Sequence, residues 1–188
     1  MLKCIEEFRK YVEIVGFRNV KISSLEAFLK TVCSDEQSVT AIQFLDATLI
    51  ATWEHVYFAV LNALTAFKNG RNISKTLAME TMLYASAQRQ IRKATKLIGI
   101  KPKSSSVAVL LVGEKSKAVE SALCRISERI NGQRDDEVLE LSPEKVNIIR
   151  ESFCISETEL TTVTAKDNFE KALINLIIER MALLATHL

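Results

Sequence analysis

Glycine and proline are both scarce, 5 and 2 residues in a chain of 188. So few breakers leave little room for loop-rich or fibrous architectures and favour helices. Cys4, Cys33, Cys124 and Cys154 are scattered, with no C-x-x-C pair and no histidine at ligand spacing beside them. That speaks against a zinc site or disulfide framework and for reduced, packed thiols. His55 and His187 are the only histidines and stand in no metalloprotease or nucleophile motif, so no catalytic residue, metal ligand or cofactor site is expected from them. No apolar run approaches the roughly 18 residues that cross a bilayer, and the start, MLKCIEEFRK, has no apolar signal region. The expectation is a cytoplasmic protein.

What is present is ordinary for a globular chain: 48% apolar and 26% charged residues. At this length one domain over 1–188 is expected, burying roughly 70% of its unfolded surface. KCIEEF (3–8) and YVEIVGF (11–17), joined at Arg9-Lys10, read as an antiparallel hairpin. SSLEAFLKTV (23–32) reads as a helix capped by Ser23 or Ser24, and TAIQFLD (40–46) as a buried strand. Thr52 caps a helix to about Phe67, closed by Asn69-Gly70, and a further helical stretch runs from about Ser74 to Ile98. VAVLLV (107–112) is the clearest core strand, followed by a helix over about 115–130 and a short strand VLEL (138–141). Ser142-Pro143 opens another helix, and Thr164–Asp167 forms a weak capping box before the last one. The pattern implies an α/β domain with a small mixed sheet, the N-terminal hairpin plus central strands, packed by about six helices.

Enzymatic motifs are missing where they would be sought. Gly113-Glu114-Lys115-Ser116 follows a strand but lacks the earlier glycine of a phosphate loop, so a nucleotide-dependent transferase around Lys115 and Ser116 is disfavoured. Asp135-Asp136-Glu137 reads as a solvated turn rather than a cation site.

Charge is distributed unevenly. Between 68 and 103 lie Lys68, Arg71, Lys75, Arg89, Arg92, Lys93, Lys96, Lys101 and Lys103 against the single acid Glu80, a local +8 in a chain of net +2, which leaves −6 for the remainder. On one helix over 74–98, at about 100° per residue, Lys75, Met82, Ser86, Arg89, Lys93 and Lys96 share a stripe, while Leu77, Leu83, Tyr84, Ala87, Ile91, Ala94 and Ile98 share the packing face. Such a stripe is either a solvated face or an anion-binding one, and phosphate contacts alone would not name the nucleic acid. Glu80 falls on an apolar arc, as does Arg180 of the last helix, and either they pair or each finds a rim or backbone partner. Ile174, Ile178 and Met181 form a second apolar face on that helix, suited to a partner protein.

N-I-S-K (72–75), M-E (79–80), A-S-A-Q-R-Q-I (85–91), I-G-I (98–100), V-A-V-L-L-V and D-D-E-V-L-E-L (135–141) resemble the kinase-binding subunit of the KEOPS complex, and the resemblance runs to I-I-E-R-M (177–181). It implies a non-enzymatic α/β subunit of an assembly that installs threonylcarbamoyl on the adenosine beside the anticodon of certain tRNAs. It further implies binding and stimulation of the assembly's atypical kinase/ATPase, indirect association with the other subunits, and, in archaeal-type members, a grip on the tRNA 3′ CCA end. Under that reading Lys68, Arg71, Lys75, Arg89 and Lys93 meet phosphates, Ser86, Gln88 and Gln90 meet base edges, and Met82 stacks. Eukaryotic members are less basic where this chain has Q-R-Q-I-R-K, so tRNA binding rests on the archaeal-like form. Ile174, Ile178 and Met181 are the expected kinase contact. The alternative is a structural adaptor that never touches RNA.

Overall fold

Seven consecutive residues, Val107–Gly113, form a strand buried along its whole length. Odd residues Val107, Val109 and Leu111 point into one apolar cluster and even residues Ala108, Leu110 and Val112 into another, as the two-residue period of a strand requires. The computed structural model describes residues 2–33, 38–164 and 168–186. Its elements are β1 (Leu2–Ile5), β2 (Lys10–Arg18), α1 (Leu25–Val32), β3 (Ala41–Asp46), α2 (Trp53–Lys68), α3 (Leu77–Ala85), α4 (Ile91–Ile98), β4 (Val107–Gly113), α5 (Ser116–Arg129), β5 (Gln133–Arg134), α6 (Pro143–Ser152), α7 (Glu157–Thr164) and α8 (Phe169–Thr186).

The sheet order is β1-β2-β4-β3, with β5 beside β2. β2 obeys the same parity as β4: Val12 and Ile14 enter the cluster under α2 and α3, while Val15 and Phe17 enter that under α5. The α/β class is therefore correct, but every pairing among the described strands is antiparallel. β2 and β3, joined through α1, do run the same way, as in a crossover unit. β4 lies between them, antiparallel to both, so no parallel ladder forms.

Local chemistry sets most helix starts. Ser24, Thr52 and Thr76 each accept a backbone N–H from three residues ahead, at Ala27, His55 and Met79. Ser142 holds the cap position of α6, with Pro143 in its first turn, but makes no side-chain cap bond. The capping box expected at Thr164–Asp167 falls largely outside the described residues, as does His187.

The first arm of the hairpin is shorter than expected: only Leu2–Ile5 is strand, and Glu6–Phe8 forms a 3-10 turn. Two further expected elements differ. VLEL is no strand: Asp136–Leu139 forms a 3-10 turn started by the Asp135 side chain on the Glu137 N–H. It crosses directly over Gly16, whose N–H donates to Asp136 Oδ1 and whose carbonyl accepts from Asp135. A Cβ on residue 16 would stand 2.4 Å from the Asp135 carbonyl oxygen, so only glycine admits this crossing. The ammonium of Lys145 then ties the turn down, donating to the carbonyls of Ile50 (3.0 Å), Val138 (2.5 Å) and Glu140 (3.0 Å). The second difference is the single helix expected over 74–98, which is two helices, α3 and α4, interrupted at residues 86–90.

A third apolar cluster joins α6, α7 and α8 to Ala51, with Ile149, Leu160, Leu173 and Ile177 at its centre. α8 packs against α2 and α3 as well as α7. This layer lies against the break between α3 and α4, because the half-buried Ala87 packs into it.

Candidate nucleic-acid interface

The break at 86–90 contains neither glycine nor proline. Ala87 takes φ +50°, a left-handed conformation, and two backbone bonds close the exit of α3: Ala87 N–H to the Tyr84 carbonyl (2.9 Å) and Gln88 N–H to the Leu83 carbonyl (3.0 Å). This is the double bond pattern of a Schellman end, usually built on glycine. α2 ends the same way with Gly70 at φ +64°. Ser86 turns back into its own helix, its hydroxyl donating to Met82 O at 2.8 Å.

After the turn, α4 starts at Gln90 without a side-chain cap, and the next residues are Ile91, Arg92 and Lys93 with no acid in the first turn. The unsatisfied N–H groups of a helix start and the positive end of its dipole thus coincide with three exposed cations, Arg89, Arg92 and Lys93. α4 folds back along α3, bringing the Thr95 hydroxyl to 3.7 Å from the Met82 sulfur. Lys75 precedes α3 and lies at its far end, so Lys75 and Arg89 are separated by a nine-residue helix of about 13 Å.

Burial pushes the Tyr84 phenol up and the nearby Glu80 charge adds to this, while Arg89 pulls the other way. The Glu80 carboxylate itself is fully buried and accepts N–H bonds from Ile73 (3.0 Å) and Ser74 (2.6 Å), which fixes the loop carrying Lys75.

Several expected site residues are displaced by this arrangement. Met82 is 4% exposed and Ser86 1%, so neither meets a ligand: the first fills the core beside α4 and the second is spent on backbone. Ile91, expected to pack, is 47% exposed because α4 has its own axis. Gln88 is half-buried, Gln90 exposed. Arg71 and Lys75 are exposed, whereas Lys68 donates to Glu7 at 2.8 Å and lies over Phe8. Arg92, outside the stripe centred on Lys75, is exposed with Lys93 in the first turn of α4. No breaker residue in the sequence signals this.

Glu80 and Arg180 do not pair. Glu80 is used by the backbone of Ile73 and Ser74, and Arg180 bonds Glu159 of α7 at 2.5 Å and the Cys154 carbonyl. Of the three residues expected to face a partner, Met181 is 0% exposed within the cluster under α2 and α3, while Ile174 and Ile178 are half-buried in the two clusters flanking α8. The exposed large apolar side chains of these helices are instead Phe58 on α2 and Phe169 and Leu183 on α8. At the strand-to-helix turn, Lys115 occupies the cap position of α5. Among the described residues no cluster of three His, Cys, Asp or Glu side chains is placed to hold a metal.

Residues 17–185 match the model of the family described as kinase binding protein CGI-121. Regulatory protein Cgi121 of Methanocaldococcus jannaschii is 39% identical over 113 residues, which are 60% of this chain and 70% of that protein. The EKC/KEOPS complex subunit CGI121 of Candida glabrata is 29% identical over 139 residues, 71% of this chain and 76% of its own. A shorter match, 44% over 46 residues, links the chain to the KEOPS complex subunit Cgi121 of Pyrococcus abyssi, covering 24% of this chain and 27% of that one.

Proposed function

Because the chain belongs to the CGI-121 family of kinase-binding proteins, we propose that it is a non-catalytic, cytoplasmic KEOPS subunit that binds and stimulates the complex's kinase and brings tRNA to it by the single-stranded CCA end. The observation that carries the RNA half is the start of α4, where three exposed cations surround an uncapped, acid-free helix N-terminus. A terminal phosphate chain meets N–H donors and guanidinium groups together there. Gln90 is exposed beside them and supplies an amide for an unstacked base edge, which is how single-stranded RNA is read. Arg71, Lys75 and Lys96 extend the positive surface away from the turn.

The proposed kinase contact is the set of exposed apolar side chains on α2 and α8, Phe58, Phe169 and Leu183. Apolar side chains left in water on helices that already pack together suit a protein partner. A second reading, an adaptor without RNA contact, has one observation in its favour: part of the positive charge, Lys68, is already neutralised by Glu7.

Fluorescence anisotropy with tRNA, intact or lacking CCA, decides between them. Arg89→Glu with Lys93→Glu should weaken binding of intact tRNA and lower the slope of log K against log salt by about 0.7 per lost phosphate contact. Equal affinity for the two tRNAs refutes the CCA grip and leaves the adaptor. Leu183→Glu should abolish kinase capture while leaving tRNA affinity unchanged, and undiminished capture refutes the α8 placement.

A further inference from the structure

His55 is fully buried in the first turn of α2 and touches neither proposed partner surface. Both ring nitrogens are engaged. Nδ1 accepts the Ala51 N–H at 3.3 Å, and Nε2 lies 2.8 Å from the Ala85 carbonyl. A carbonyl only accepts and an N–H only donates, so these neighbours select the tautomer protonated on Nε2. Phe153 stands edge-on to the ring at 5.6 Å between centroids.

Ala85 is the last residue of α3, two before the left-handed Ala87. The stretch A-S-A-Q-R-Q-I-R-K holds no breaker, and its residues favour a continued helix, in which the Ala85 carbonyl would return to the amide of Arg89. Left-handed alanine costs about 1–2 kcal/mol, so something outside the segment must hold the break. Three contacts do so: His55 takes the Ala85 carbonyl, Ser86 takes that of Met82, and Ala87 packs into the α6–α8 cluster. Only the histidine bond is polar and reaches in from another helix.

We infer that His55 is a positioning residue for the anion-binding turn: its Nε2–H bond to the Ala85 carbonyl holds α3 and α4 apart and so keeps the N–H groups at the start of α4 open beside Arg89, Arg92 and Lys93. The inference rests on the RNA reading above for its functional consequence, though not for its geometry. Losing the bond allows the helix to extend, and the N–H groups at the start of α4 are then taken by the carbonyls of the preceding turn instead of being open to an anion beside the cations.

Two near-isosteres separate this role from simple packing. In His55→Asn the amide oxygen replaces Nδ1 as acceptor for Ala51 but nothing reaches Ala85. In His55→Gln the longer amide reaches Ala85 but leaves Ala51 unbonded. Each loses one bond and the ring contact with Phe153, so comparable destabilisation is expected. The affinity for a single-stranded oligoribonucleotide ending in CCA should fall about fivefold or more in His55→Asn, the equivalent of about 1 kcal/mol, and stay near wild type in His55→Gln. Amide exchange reports the turn independently of RNA: the Ala87 and Gln88 amides should lose protection in His55→Asn and keep it in His55→Gln. Equal affinity losses in the two variants, or unchanged protection in His55→Asn, overturn the inference. Failure of the wild-type protein to prefer CCA-ended RNA, with the exchange pattern as expected, overturns the RNA reading alone.

Discussion

Acidification should remove stability through one imidazole. Burial pushes His55 down from 6.5 to about 4; its bond to the Ala85 carbonyl opposes the shift, and the Lys145 charge adds to it. Protonation would place a second N–H on Nδ1, facing the Ala51 N–H that it now accepts. In the unfolded chain the ring keeps its ordinary value of about 6.5. Between the two values the unfolded state binds more protons, so stability falls as pH drops below about 6.5, and the loss is complete near pH 4. Above pH 6.5 both states are neutral and the effect vanishes. A shift from 6.5 to about 4 corresponds to about 3 kcal/mol at 1.36 kcal/mol per pH unit. The assay is urea denaturation of wild type and His55→Asn across this window. Wild type should be the more stable at neutral pH, with the gap shrinking by about 3 kcal/mol towards pH 4. Carboxylates cancel in that difference: Glu159, held down to about 2 by the Ser156 N–H and hydroxyl and then by Arg180, is common to both proteins. A gap independent of pH refutes the argument.

Glu80→Ala leaves the Ile73 and Ser74 N–H groups facing an apolar void and should cost about 3–5 kcal/mol in urea denaturation, with Glu80→Gln, which keeps one oxygen, costing less. A loss under about 1 kcal/mol would mean that these bonds do not hold the loop. Ala87→Val should cost about 2 kcal/mol, because a β-branched side chain resists the φ of +50° there. In a continuous helix the same change costs only about 0.6 kcal/mol, so thermal melting of this variant reports whether the break exists in solution.

Much of the framework was legible because it depends on neighbours within a few residues. The hairpin over Leu2–Arg18, the caps at Ser24 and Thr52, the stop at Asn69-Gly70 and the buried strand Val107–Gly113 follow from alternation, hydroxyl caps and a glycine helix end. The concentration of positive charge between 68 and 103 was equally plain. VLEL was misread as a strand because its apolar alternation is real, while the crossing over Gly16 and the Lys145 clamp that bend it come from distant parts of the chain.

The site itself was only half visible. Sequence by itself determined which residues carry charge, which strands and helices have the material to form, and, through its likeness to a family, the assembly to which such a chain belongs. Tertiary structure alone decided that the helix stops at Ala85, that Met82, Ser86 and Met181 are enclosed, and that Glu80 and Arg180 have separate partners. A side chain's local propensity is set within one or two turns. Whether its backbone carbonyl is taken by the next turn or by a histidine thirty residues earlier depends on contacts that exist only once the helices have packed.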